Sequence, residues 1–147
     1  MGVLDTIWQV YQEIFPPIGS FDEVVFECSR FRVRTLKDYR RTSKVRYARH
    51  DLLNQTQALE YTGREAETIT FGMTFNSRYG VTPTEEVDKL RALCFKGRHA
   101  PLILGGVVIG EHDWIIEEVA ETVEHRNAQG RVLVAEVEVT LAEWRNV

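Results

Sequence analysis

Apolar residues recur at intervals of three and four near the start of the chain and at intervals of two through most of the rest. Within residues 3–15 the wider spacing joins Leu4, Ile7, Tyr11 and Ile14, with Trp8 beside them. This spacing is typical of an amphipathic helix, and the two prolines that follow cannot continue one. We therefore predict an N-terminal helical arm over residues 1–20 with a proline hinge, which packs either on the chain's own core or on a neighbour.

Alternation with a period of two predicts strands, because successive side chains of a strand point to opposite faces. RFRVRTL alternates in this way, RRTSKVRYARH continues less cleanly, and ALEYTGREAETITFGMTF predicts two strands around Gly63. In PLILGGVVIG, two adjacent glycines predict a tight hairpin turn. DWIIEEVAETVEH and RVLVAEVEVTLAEW predict a longer hairpin, whose last strand carries Val137 and Val139 on one face and Glu136 and Glu138 on the other.

TPTEEVDKLRALCFKG is the one strong helix pattern inside the strand region. Thr82 suits the N-cap, Pro83 suits the first helical position and Glu85 completes a capping box. Gly97 is a natural stop. Strands, one helix and then more strands indicate a β-rich α+β fold, and the length of 147 residues fits one domain.

Residues that usually carry catalysis or bind metals are sparse. Cys28 and Cys94 are far apart and show no zinc or disulfide spacing. The pairs His50-Asp51 and His112-Asp113 lack a third ligand, and adjacent strand residues point to opposite faces. We expect no catalytic, metal-binding or cofactor-binding residues, no cofactor and no enzymatic activity. The sequence contains no run of 18 apolar residues, so we expect no transmembrane helix. The first residues do not resemble a signal peptide.

Positive charge is concentrated in residues 30–50. This stretch holds nine Lys or Arg residues and one acid, so it carries +8, whereas the net charge of the chain is −4 and the other 126 residues carry −12. Glutamates crowd the C-terminal end: Glu117, Glu118, Glu121, Glu124, Glu136, Glu138 and Glu143. Such asymmetry favours either an acidic partner or copies that join a basic face to an acidic one.

Two interpretations of the basic stretch remain open. In the first, it forms a strand or hairpin that reaches a neighbouring subunit through Arg40, Arg41, Lys44, Arg46 and Arg49, with Trp8 and Tyr11 as further contacts. In the second, the cations and their aromatic neighbours bind the phosphates and bases of a nucleic acid. The acidic balance of the whole chain counts against the second interpretation, because nucleic-acid-binding domains are usually basic.

From residue 21 onward, the order of motifs resembles the GpU-like tail proteins of contractile-tailed bacteriophages. Six motifs carry the resemblance: FDEVVFECS, RRTSKVRYARH, EAETITFGMTF, EEVDKLRALCFKGRHAPLIL, GVVIGEHDWIIEEVAETVEH and VEVTLAEW. They define a GpU-like domain over residues 21–147, while residues 1–20 depart from the usual start of the family.

The resemblance implies a tail-tube-like antiparallel β-sandwich or barrel with one flanking helix, assembled as a sixfold ring in the virion tail. It implies a baseplate-side initiator or adaptor between hub and tube, or alternatively a terminator at the head-proximal end. The partners would be further copies of the chain, the tail tube protein, the baseplate hub, a LysM-type tail protein and the tape-measure protein. Assembly would take place in the host cytoplasm, without a membrane.

The acidic face of the last strand suggests a second role within such a ring. A lumen that conducts DNA should repel phosphates, since basic walls would bind them. Glu136 and Glu138 could line this lumen, so that DNA passes without specific binding. The same reasoning predicts that the cations of residues 30–50 do not face the channel.

Overall fold

The computed structural model describes residues 19–22, 24–28, 33–34 and 36–146. Most of the predicted N-terminal arm, including Trp8 and Tyr11, therefore lies outside the described residues. Strand begins at Gly19, two residues before the predicted boundary between arm and domain. No helix in the described part of the chain is long and apolar enough to span a bilayer.

Ten strands and one α-helix make up the described chain, which confirms the β-rich α+β prediction. A short 3₁₀ turn (Ser77–Tyr79) precedes the helix, α1 (Pro83–Lys96). The strands are β1 (Gly19–Phe21), β2 (Val24–Cys28), β3 (Val33–Arg34), β4 (Lys37–Thr42), β5 (Val45–His50), β6 (Ala58–Arg64), β7 (Thr68–Asn76), β8 (His99–Leu104), β9 (Val107–Arg126) and β10 (Val132–Trp144).

Eight strands form one antiparallel sheet in the order β3-β2-β1-β8-β9-β10-β7-β4, and β5 pairs with β6 as a separate two-stranded sheet. The two end strands of the large sheet, β3 and β4, are only two residues apart along the chain. The sheet must therefore curl so that its ends approach each other, and β3 also lies near β7. Among the described residues no ladder joins β3 to β4, so the sheet is not a closed barrel.

The core lies between one face of the curled sheet and α1. The predicted alternation in the seventh and tenth strands is confirmed, because every second residue of each is buried. These residues are Ile69, Phe71, Met73 and Phe75 of β7, and Ala135, Val137, Val139 and Leu141 of β10. Val87, Leu90 and Leu93 of α1 are buried in the same core, and the helix packs on β9 and β10.

Both predicted ends of α1 are confirmed, although its first turn differs in detail. Thr82 occupies the N-cap position, but its side chain makes no capping hydrogen bond, and the Glu86 amide donates to the Thr82 carbonyl at 3.1 Å. Pro83 is buried at the start of the helix. Gly97 ends it with φ of +60°, and its amide donates to the Cys94 carbonyl at 3.1 Å.

Two strand boundaries differ from the prediction because glycines form bulges as well as turns. Gly63 does not separate two strands: it lies inside β6 with φ of +137°, next to a register shift opposite Arg46, and the break comes at residues 65–67. Similarly, β9 is a single strand of 20 residues that pairs first with β8 and then with β10. Gly110, with φ of +77°, bends it where a Cβ would lie 3.0 Å from the Trp114 ring.

Candidate subunit interface

The β5–β6 hairpin is separate from the large sheet, since its two strands pair with no other strand among the described residues. Cross-strand partners share a face of a ribbon, and the register therefore places Tyr47 opposite Tyr61 and Arg49 opposite Leu59 on the same face. Val45 belongs to this face because it lies two residues before Tyr47. We call Val45, Tyr47, Arg49, Leu59 and Tyr61 the aromatic face of the hairpin.

The aromatic face is exposed in the described structure. The exposed fractions are 47% for Val45, 51% for Tyr47, 59% for Leu59 and 57% for Tyr61. The two tyrosine rings meet edge to face, with centroids 5.8 Å apart at 72°. Large side chains that contact each other while half of their surface faces solvent form an apolar patch, which is a common mark of an interaction site.

The rest of the hairpin is held by polar contacts. On the opposite face, His50 Nε2 lies 2.9 Å from Glu60 Oε2. At the tip, the Gln57 side chain donates to Asp51 at 2.6 Å, and this contact closes a loop in which Leu53 is 92% exposed. The tip therefore presents exposed apolar surface in addition to that of the aromatic face.

A backbone hydrogen bond closes the base of the hairpin, and Arg64 joins the base to the large sheet. The Glu65 amide donates to the Lys44 carbonyl at 3.0 Å. Arg64 lies 3.8 Å from Glu111 and 3.6 Å from Glu143, which joins the hairpin to β9 and β10. A groove of about 660 Å³ between hairpin and sheet is lined by residues that include Arg46 and His112.

The structure separates the five cations predicted at the interface. Arg41 forms an ion pair within the chain: its Nη2 lies 2.5 Å from Glu67 Oε2, and this hydrogen bond raises the pKa of Arg41. Arg40, Lys44, Arg46 and Arg49 are exposed, and none of them forms an ion pair with a described residue. Lys44, Arg46 and Arg49 belong to the hairpin and its base, whereas Arg40 lies on β4.

Glu136 and Glu138 lie where the alternation placed them, on the face of the sheet opposite the core. Lys37 donates a hydrogen bond to Glu136, and this contact lowers the pKa of the Glu136 carboxyl. Glu138 lines a groove with Arg40 and Thr70. Two cations of the basic stretch, Lys37 and Arg40, therefore share a face with both glutamates.

Further acids extend this polar face onto β9. Glu118 is opposite Thr140, Thr122 is opposite Glu136, and Glu124 contacts Glu136. The pairing between Lys37 and Glu136 spans 99 residues of sequence, so no local pattern could have revealed it.

The His-Asp pairs of the sequence do not act as pairs. His50 contacts Glu60, and Asp51 contacts Gln57. Asp113 Oδ2 instead lies 2.7 Å from His99 Nδ1, and the His99 ring stacks on Trp144 with the ring centroids 3.7 Å apart. Within the described residues, no group of three or more His, Cys, Asp or Glu side chains is arranged to hold a metal ion.

Val45 and Tyr47 lie within the basic stretch but are not among the predicted subunit contacts, and the sequence reasoning missed Leu59 and Tyr61 altogether. Their alternation with Glu60 and Thr62 is visible in LEYT, but it indicates only that one face of the strand is apolar. Whether another part of the protein covers that face depends on tertiary packing.

Comparison with known families accounts for most of the chain. The sequence model of the family described as Phage P2 GpU matches residues 23–146. A search of curated proteins finds no significant match. The match covers α1, the β5–β6 hairpin and every strand of the large sheet except β1. The chain therefore belongs to the phage P2 GpU family, and it is a structural protein associated with the phage virion tail.

Proposed function

We propose that this chain assembles into a sixfold ring at the baseplate-side end of the tail tube, as an initiator and adaptor between the hub and the tube of a contractile tail. The observation that carries the proposal of a ring is the exposed aromatic face of the β5–β6 hairpin. The position in the tail follows from the resemblance to GpU-like proteins. The LysM-type and tape-measure proteins would be further partners during assembly in the host cytoplasm.

The low stability expected of an isolated hairpin supports the proposal that this hairpin contacts another subunit. An isolated two-stranded hairpin is at best marginally stable in water, and this one pairs with no third strand among the described residues. Its aromatic face combines Tyr47, Tyr61 and Arg49, and Tyr and Arg are the residue types enriched in the energetic centres of interfaces. A neighbouring subunit would cover apolar surface and stabilise the ribbon at the same time.

Apolar contact, more than charge, should supply the affinity. Residues 44–65 contain four Lys or Arg residues and three acids, so the hairpin with its base carries only +1. The charge of the basic stretch is thus spread over several surfaces: Lys37 and Arg41 are paired within the chain, and Arg40 lies on the polar sheet face. The remaining cations would set the register and orientation of the contact.

A ring also requires two unlike surfaces on each subunit, because every copy repeats the same heterologous contact. The hairpin would be one of these surfaces. We further propose that the polar face with Glu136 and Glu138 lines the lumen, where acids repel the phosphates of passing DNA. Lys37 and Arg40 lie on this face, which runs against our expectation for the basic stretch, but the contact with Glu136 balances the charge of Lys37.

Mass determination in solution tests the ring. Light scattering of the purified full-length chain should give a multiple of the 17.0 kDa subunit, alone or after addition of tube protein. Pull-down with purified hub protein and tube protein then tests the position: a baseplate adaptor binds both, whereas a terminator binds the tube and not the hub. A chain that remains a monomer with either partner would contradict the proposal.

A further inference from the structure

The β5–β6 hairpin continues the ribbon of β4 and β7 beyond a break in the backbone hydrogen bonding. Thr42 and Thr68 form the last pair of the large sheet at this point. The hairpin begins with the hydrogen bond from the Glu65 amide to the Lys44 carbonyl. One residue separates these two pairs on the first connection, and two residues separate them on the second. Short segments of this kind absorb changes in φ and ψ and act as hinges, so the backbone by itself does not fix the angle between hairpin and sheet.

The packing of apolar side chains does not fix this angle either. A groove of about 660 Å³ lies between the hairpin and the sheet, and among the described elements β5 and β6 pack closely only on each other. Arg64 lies 3.6 Å from Glu143 of β10 and 3.8 Å from Glu111 of β9. Among the described residues, these are the ion pairs that join the hairpin to the large sheet.

The two acids beside Arg64 differ in their exposure to water. The Glu143 side chain is 10% exposed, whereas that of Glu111 is 75% exposed. Water screens an exposed ion pair, which therefore contributes little, but a carboxylate shielded from water depends on its cationic neighbours. The pKa of Arg41 is raised mainly by its hydrogen bond with Glu67, and the charge of Glu143 adds to this increase. Glu143 therefore acts on the arginines that flank both connections of the hairpin.

We propose that Glu143 is a positioning residue that holds the hairpin at one angle to the large sheet through its ion pair with Arg64. The inference rests on the proposed assembly of identical subunits, because a hairpin at a fixed angle presents its aromatic face already oriented for a neighbour. Such pre-organisation raises affinity by lowering the ordering cost of binding. The Glu143 amide also donates to the Glu67 carbonyl at 2.9 Å. This bond does not involve the carboxylate, so Glu143→Gln removes the charge and keeps the backbone contact.

Double electron–electron resonance on the full-length protein tests the angle. Spin labels attached to p-acetylphenylalanine replace two exposed residues, Arg49 on β5 and Lys96 on α1, so that the native cysteines are kept. A concentration below that of assembly restricts the measurement to the free subunit. We expect one narrow distance distribution in the labelled chain, and we expect Glu143→Gln to make it at least about twice as broad.

Three further variants make the test specific. Arg64→Met removes the other half of the ion pair and should broaden the distribution as much as Glu143→Gln does. The double variant should be no broader than either single one, because both remove the same interaction. Glu111→Gln is the matched control, since it removes an exposed carboxylate beside the same guanidinium, and it should leave the distribution unchanged.

Self-association of the unlabelled variants tests whether the angle matters for the subunit contact. In sedimentation velocity, we expect Glu143→Gln and Arg64→Met to weaken self-association at least about tenfold, and Glu111→Gln to leave it within about twofold.

The outcomes separate this inference from the proposed function. A distribution that Glu143→Gln leaves unchanged, or that Glu111→Gln broadens equally, would overturn the inference. A broadened distribution with unchanged self-association would overturn the positioning role while subunit assembly stands. A wild-type chain that forms no multimer under any condition would refute the proposed function, whereas the distance measurement on the free subunit decides the orientation of the hairpin by itself.

Discussion

Replacement of Tyr61 by Ala should separate the stability of the subunit from its assembly. Tyr61 is 57% exposed in the described structure, so an interface would cover roughly 110 Å² of a side chain with about 200 Å² of surface. At about 25 cal/mol per Å², this corresponds to about 3 kcal/mol of association free energy. The dissociation constant of the assembly should therefore rise about 100-fold.

The same substitution should affect folding much less. In the free subunit Tyr61 contributes its edge-to-face contact with Tyr47, and such pairs add about 0.5–1.5 kcal/mol. We expect the free energy of unfolding to fall by about 1 kcal/mol in urea, measured at a concentration below that of assembly. Sedimentation velocity over a concentration series gives the association constant.

Phe95→Ala is the matched control, because Phe95 is 82% exposed but lies on α1 outside the proposed contact. We expect this variant to assemble like the wild type. Equal weakening of assembly by both variants would indicate a general effect of lost apolar surface. Unchanged assembly of Tyr61→Ala would refute the role of the aromatic face.

Three further predictions concern the glycines, the polar face and DNA. Gly97 and Gly110 both have positive φ, but a Cβ on Gly97 meets nothing within 4 Å, whereas one on Gly110 would lie 3.0 Å from the Trp114 ring. Gly97→Ala should therefore lower the free energy of unfolding by about 1–2 kcal/mol, and Gly110→Ala should lower it by more. Equal losses for the two variants in thermal unfolding would count against the bulge argument. Lys37 lowers the pKa of Glu136 from its ordinary value of 4.5, so their contact stabilises the fold above pH 4.5 and loses its effect as pH falls through the lowered pKa. Lys37→Met should raise the Glu136 pKa in an NMR titration. An unchanged pKa would show that the contact does not form in solution. Finally, the chain should not shift duplex DNA in a gel at physiological salt, and a shift that weakens steeply with added salt would support the nucleic-acid interpretation of the basic stretch.

Local patterns were sufficient where the physical cause is itself local. The burial of alternate residues in β10 follows from the pleat of a single strand. The ends of α1 follow from Pro83 and Gly97, whose backbone preferences do not depend on distant residues. The two-residue turn at Gly105 and Gly106 is of the same kind, with φ of +59° and +76°. These features predicted the fold class and the location of the helix.

Glycines show where local reasoning stops. A positive φ suits both a hairpin turn and a bulge within a strand, and only the partner strand decides between the two. Gly63 faces a continuing ladder with β5, so β6 runs on to Arg64. Gly110 lies in a strand that changes partners from β8 to β10, so β9 continues through it.

For the candidate interface, the sequence by itself determined only which residue types are present. The sequence placed cations and tyrosines in residues 30–50 and an acidic face on the last strand, but it could not divide the cations among different surfaces. Tertiary packing pairs Lys37 with Glu136 and Arg41 with Glu67. In the described part of the chain it leaves Tyr47, Leu59 and Tyr61 at least half exposed. Coverage of a face depends on which distant segments pack against it, and the alternation of a strand carries no information about those segments.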